Sequence, residues 1–74
     1  MRSYTAADLA RARQRAERAA QLVIEQQNRV VWMTARGRDT AEGARLLAIM
    51  LQLLDQREKQ RDAIAAALGD GGKR

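Results

Sequence analysis

The chain has no cysteine, no histidine, no proline and no phenylalanine. Without cysteine there is no disulfide, and without histidine as well the usual ligands of zinc or haem are missing, so no metal or cofactor is expected. Lack of cysteine is also compatible with a reducing cytoplasm. Aromatics amount to Trp32 and Tyr4, and 15 of the apolar residues are alanine, so bulky apolar side chains are scarce. The densest apolar run, Leu46 to Leu54, is nine residues long and contains Gln52. A bilayer span needs roughly 20 residues, and no apolar stretch near the start resembles a secretory leader. The expectation is a soluble, cytoplasmic protein with no membrane association.

What is present is arginine. The 74 residues carry 14 Lys+Arg against 9 Asp+Glu, a net charge of +5, and 12 of the 14 are Arg. Guanidinium suits bidentate pairing with carboxylate or phosphate. A single chain this short holds one small domain, and below roughly 80 residues one core seldom suffices without a staple. With disulfides and metals set aside, oligomerisation remains.

The chain is organised around Arg36-Gly37-Arg38-Asp39-Thr40-Ala41-Glu42, between two long helical patterns. Gly37 can take positive φ at a helix end without a Cβ clash. Asp39 offers an oxygen to the free amides of the next helix, and Glu42 three residues later completes a capping-box pattern. Residues 1–4 are expected to fray. Thr5, with Asp8 three residues on, reads as the N-cap of a helix over 5–36 that contains neither Pro nor Gly. After a turn at 37–39, a second helix is expected over 40–68. Gly69 is its expected stop, and 69–74 a disordered tail. Helices of similar length on a short connection lie antiparallel, so the fold class is all-α, a helical hairpin.

Heptad spacing puts Leu9, Ala16, Val23 and Val30 with Ala12, Ala19, Gln26 and Met33 on the seam of the first helix. Pairing residues equidistant from the turn sets Val30 near Leu46 and Leu47, Val23 near Leu54, and Ala12 near Ile64. In the middle, the polar run Asp55 to Asp62 faces Ala16, Ala19 and Ala20. Small alanine faces permit close approach, with the stems of Arg57 and Arg61 laid over them; Arg57 or Arg61 is expected to pair with Glu17 or with an acid of a second subunit. From Leu46 to Leu54 the second helix is apolar nearly all round, which a single partner helix cannot cover. The expectation is a homodimer, a four-helix bundle, with a higher homo-oligomer as the other possibility. Its interface is assigned to Val23, Val30, Leu46, Leu47, Met50, Leu51 and Leu54.

The turn Gly37-Arg38-Asp39-Thr40, with Arg45-Leu46-Leu47, Met50, Leu54 and Arg61-Asp62-Ala63-Ile64 of the second half, resembles a group of short uncharacterised helical-hairpin proteins of alphaproteobacteria. Those carry Gly-His-Asp-Thr at the turn, a Leu-Leu pair, spaced Leu/Met positions and Arg-Asp-x-Ile/Leu near the end. The likeness spans residues 22–65. Arg38 replaces the group's usual His, and Gly43 its usual Ala, which weakens the first turn of helix two by up to about 1 kcal/mol. The resemblance implies a hairpin and carries over no catalytic or binding residue.

No catalytic constellation can be assembled. Thr5 and Thr40 are explained by helix starts, and Ser3 and Tyr4 lie near an end. Glu17 with Asp62, or Asp55 with Glu58, reads as solvated surface rather than as an acid–base pair. The reading is a non-catalytic protein–protein interaction or regulatory module. A rival reading comes from Arg11, Arg15, Arg18, Arg29 and Arg36, which follow one stripe of helix one together with Trp32. Such a stripe can track phosphates and stack a base of RNA or DNA. Trp32 either plugs the bundle end against helix two or anchors a partner.

Overall fold

The computed structural model describes residues 3–72, with side chains to Gly69. Two helices make up the fold, α1 (Ala6–Ala35) and α2 (Ala41–Gly72), packed against each other as a hairpin. It is a rod of 57 × 17 × 16 Å. Among the described residues no helix is long and apolar enough to cross a membrane.

α1 starts at a complete capping box. Asp8 N–H donates to Thr5 Oγ1 at 3.2 Å, and Thr5 N–H donates to Asp8 Oδ2 at 2.9 Å. Two of the helix's orphan amide donors are thereby satisfied. At the other end Gly37 has φ 70°, the only positive φ among the described residues. This lets Gly37 N–H reach the Thr34 carbonyl at 3.0 Å and Arg38 N–H reach the Met33 carbonyl at 2.9 Å. Terminal carbonyls of α1 are closed off in this way and the chain reverses.

The start of α2 differs from the sequence expectation. Thr40 occupies the residue before the helix, its carbonyl accepting from Ala44 N–H at 2.8 Å. Asp39 lies one residue further out and its Oδ1 accepts from Ala41 N–H at 3.0 Å. The Glu42 side chain makes no reciprocal bond there, so the second capping box does not form. A Thr-Ala-Glu start leaves Glu42 at the second helical position, one short of the reach a box requires. The far end differs too. α2 runs through Gly69 to Gly72 instead of stopping at Gly69. A helical glycine costs only about 1 kcal/mol against alanine, which an established helix can absorb. Residues 73–74, the rest of the expected tail, and 1–2 lie outside the described residues.

The helices meet along Ala12, Ala16, Ala19, Val23 and Gln26 of α1, all buried, and against Ile64 of α2. Three of the five buried apolar residues are alanine, which brings the backbones close but removes little apolar surface from water. Near the turn the backbones also approach closely. A Cβ on Gly43 would lie 3.2 Å from Val30 Cγ2, and Gln26 Nε2 donates to the Gly43 carbonyl at 3.0 Å. Gly43, a helix-weakening residue in sequence, is thus a packing residue in the fold.

Candidate functional site

Each helix has two flanks beside its inward stripe. On α1 the positions 11, 15, 18 and 22 step by three and four along one flank. Leu22, Arg15 and Arg18 line a groove with Leu53 and Arg57 of α2, floored by Ala19. That contact identifies the matching flank of α2 and puts both on one side of the rod. On the other side lie Ile24 and Val31 of α1 with Ala44, Ala48 and Leu51 of α2.

The arginines of the sequence stripe fall into different environments. Arg11 Nη2 is paired with Asp8 at 2.6 Å. The Thr5 amide, then Arg11, hold the Asp8 carboxyl below the ordinary aspartate range. Arg29 donates to Gln26 Oε1 at 3.3 Å, supporting the buried amide. Arg36 stacks over the Trp32 ring, 3.9 Å from its centroid. Arg15 and Arg18 make no ion pair or side-chain hydrogen bond among the described residues. Arg57 is likewise free among them, and the fold brings it to these two from the other helix. The groove they line has a volume of about 140 Å³ and no acidic side chain in its lining. Arg15 also lines the adjoining cleft of about 200 Å³ with Tyr4, Asp8, Arg11 and Gln60. The two depressions meet at Arg15 as one trough leading away from the turn, towards the open end of the hairpin.

Trp32 is 52% exposed and does not plug the bundle against α2. With Arg29, Met33 and Arg38 it lines a wide cleft of about 530 Å³ near the turn. Arg61 does not pair with Glu17; it binds its neighbour Asp62 at 2.9 Å, and that hydrogen bond raises its pKa further. Lys59 pairs with Asp55 at 2.9 Å on the exposed surface.

The expected interface residues also divide. Val23 is only 5% exposed, consumed by the hairpin's own core. Val30, Leu47, Met50 and Leu54 are half-buried, Val30 against Gly43 of the facing helix. Leu46 and Leu51 are exposed, on opposite flanks. Leu22, Ile24, Val31, Ile49 and Leu53 are the other exposed large aliphatics among the described residues; they fall within the stretches Leu22 to Val31 and Leu46 to Leu54 expected to be buried between subunits, although none is among the seven residues singled out. Their signal was present: Ile24 and Val31 lie off the heptad seam. Arg57 was legible as level with Ala19 by distance from the turn, but its flank depends on the rotation of α2.

Among the described residues no group of three His, Cys, Asp or Glu side chains stands where it could hold a metal. No protein-family model, curated protein or solved structure matches the chain. The hairpin assignment therefore rests on the chain's own geometry.

Proposed function

We propose that the protein is a non-catalytic, self-associating interaction module of the cytoplasm, two hairpins pairing about a two-fold axis into a four-helix bundle. The observation that carries this is the exposed aliphatic surface of the turn-proximal half. Val31 is 67% exposed, Ile24 50% and Leu51 44%. A compact monomer of this mass, 8.3 kDa, exposes about 4,600 Å². This chain exposes 5924 Å². The surplus exceeds the about 800 Å² per partner that a stable interface buries.

The two-fold contact is best centred on the flank of Ile24, Val31 and Leu51. Gln27, Ala44 and Ala48 lie along that stretch, and Asp55, one turn beyond Leu51, is already paired with Lys59. In an isologous contact each side chain serves both copies. Leu53, on the opposite flank, stays outside it. Light scattering of the wild type should give twice the chain mass. Leu51→Glu should halve it, because a charge enters an apolar seam, whereas Leu53→Glu should leave it unchanged. A folded wild-type monomer at micromolar concentration overturns the proposal, and so does dissociation by Leu53→Glu alone.

A further inference from the structure

We infer that the trough leading towards the open end of the hairpin is a binding site for single-stranded nucleic acid, with Arg15, Arg18 and Arg57 holding the phosphates. It lies on the flank opposite the proposed subunit contact and does not depend on self-association. Three guanidinium groups converge on it from two helices, none with an acidic partner among the described residues. Like charges gathered without a counter-charge repel, and a polyanion relieves that repulsion while releasing its condensed counterions. Of the acids near the trough, Asp8 lines its outer end but is already occupied by Arg11 and the Thr5 amide, and Glu25 accepts from Gln21 Nε2 at 3.3 Å. Glu17 and Glu25 line, with Arg18 and Leu22, a neighbouring depression and not the groove itself.

The apolar parts of the trough fit the rest of a nucleotide. Leu22 and Leu53 present aliphatic surface beside the guanidiniums, which suits the face of a base. Tyr4, 37% exposed, stands at the outer end beside Arg11 and Arg15. Aromatic rings and arginine planes spaced along a basic groove are how sequence-tolerant single-strand binders hold bases and backbone. The dimensions favour a strand over a helix. The alanine seam holds α1 and α2 close, so the depression between them is shallow, with volumes of about 140 and 200 Å³. An acidic partner helix, about 10 Å across, would ride on the rim instead of entering.

The test is fluorescence anisotropy of the full chain with a labelled ten-nucleotide RNA, the DNA of the same sequence and a polyglutamate peptide, at about 50 and about 200 mM salt. Three phosphate contacts to a single strand imply a loss of about 20-fold between the two salt concentrations. Arg15→Gln/Arg18→Gln/Arg57→Gln should weaken RNA binding by about tenfold or more, and Tyr4→Ala by about fivefold or more. The triple Arg13→Gln/Arg38→Gln/Arg45→Gln, which removes the same charge elsewhere, should weaken it by less than about threefold. Should the first triple variant lose helicity by circular dichroism, protection decides: bound RNA should shield Arg15, Arg18 and Arg57 of the wild type from phenylglyoxal, read by mass spectrometry. No salt-sensitive binding, equal losses in both triple variants, absent protection, or polyglutamate binding as tight as RNA would each overturn the inference. The last of these would assign the trough to an acidic protein partner.

Discussion

The side-chain amide of Gln26 donates to the backbone carbonyl of Gly43 at 3.0 Å, across the interface between the two helices. Gln26 is 3% exposed, and its oxygen accepts from Arg29 in turn. A buried amide used on both ends fixes the register of α1 on α2 near the turn, because a slip of either helix would strand it. Gln26→Ala should therefore destabilise the hairpin by about 1–2 kcal/mol, the lost hydrogen bond plus lost contact. Urea unfolding measures it, and an unchanged midpoint would mean water replaces the amide without cost.

Gly43 is held between two opposing effects. Alanine there would gain up to about 1 kcal/mol of helix propensity. Its Cβ would also meet Val30 Cγ2 at 3.2 Å and Gln26 Nε2 at 3.4 Å. A β-branched neighbour has little rotamer freedom to withdraw. Gly43→Ala should be close to neutral, within about 0.5 kcal/mol, and Gly43→Val should cost about 1–3 kcal/mol by overpacking. Stabilisation by valine in the same unfolding experiment would show that the close approach is not retained in solution.

At the turn, three substitutions separate the contributions. Gly37→Ala should cost about 1–2 kcal/mol, since φ 70° crowds a Cβ. Asp39→Ala should cost about 0.5–1 kcal/mol through its bond to the Ala41 amide. Glu42→Ala, which loses no bond, should change stability by less than about 0.5 kcal/mol. Thermal melts rank the three, and a Glu42 effect equal to that of Asp39 would restore the capping box that the geometry lacks.

Asp8 makes one contribution to the pH dependence of stability. Its carboxyl is held below the ordinary aspartate range by the Thr5 amide first and Arg11 second. A depressed folded-state pKa means that the unfolded chain takes up the proton first as pH falls. The contribution is complete above the unfolded pKa and is lost as pH falls through the lower, folded one. Asp8→Asn should therefore flatten the acid end of the stability curve and leave its slope near neutrality unaltered, which circular dichroism melts between those pH values would resolve.

Self-association predicts linkage. The melting temperature of the wild type should rise with protein concentration, and that of Leu51→Glu should not. Parallel, concentration-independent melts for both would separate stability from assembly altogether.

Much of the fold was legible along the chain because it is local. Thr5 and Asp8 lie three residues apart, and a capping box needs nothing else. Gly37 between unbroken helical runs specifies a reversal through its missing Cβ. Heptad spacing alone identified Ala12, Ala16, Ala19, Val23 and Gln26 as the inward stripe. The candidate site was less legible. Six stripe positions looked equivalent in sequence, yet Arg11, Arg29 and Arg36 are engaged by Asp8, Gln26 and Trp32, and only Arg15 and Arg18 are left free among its arginines.

By itself, then, the sequence determined the two helices, their antiparallel order and the seam between them, since caps, propensity and periodicity act over a few residues. Tertiary structure alone decided how far each helix is rotated about its axis. That rotation turns Gly43 from a weak helix residue into a contact and carries Arg57 across to Arg15 and Arg18. The physical reason is that flank identity depends on the depth of approach at Ala12, Ala16, Ala19 and Gly43, a packing distance that no single helix encodes.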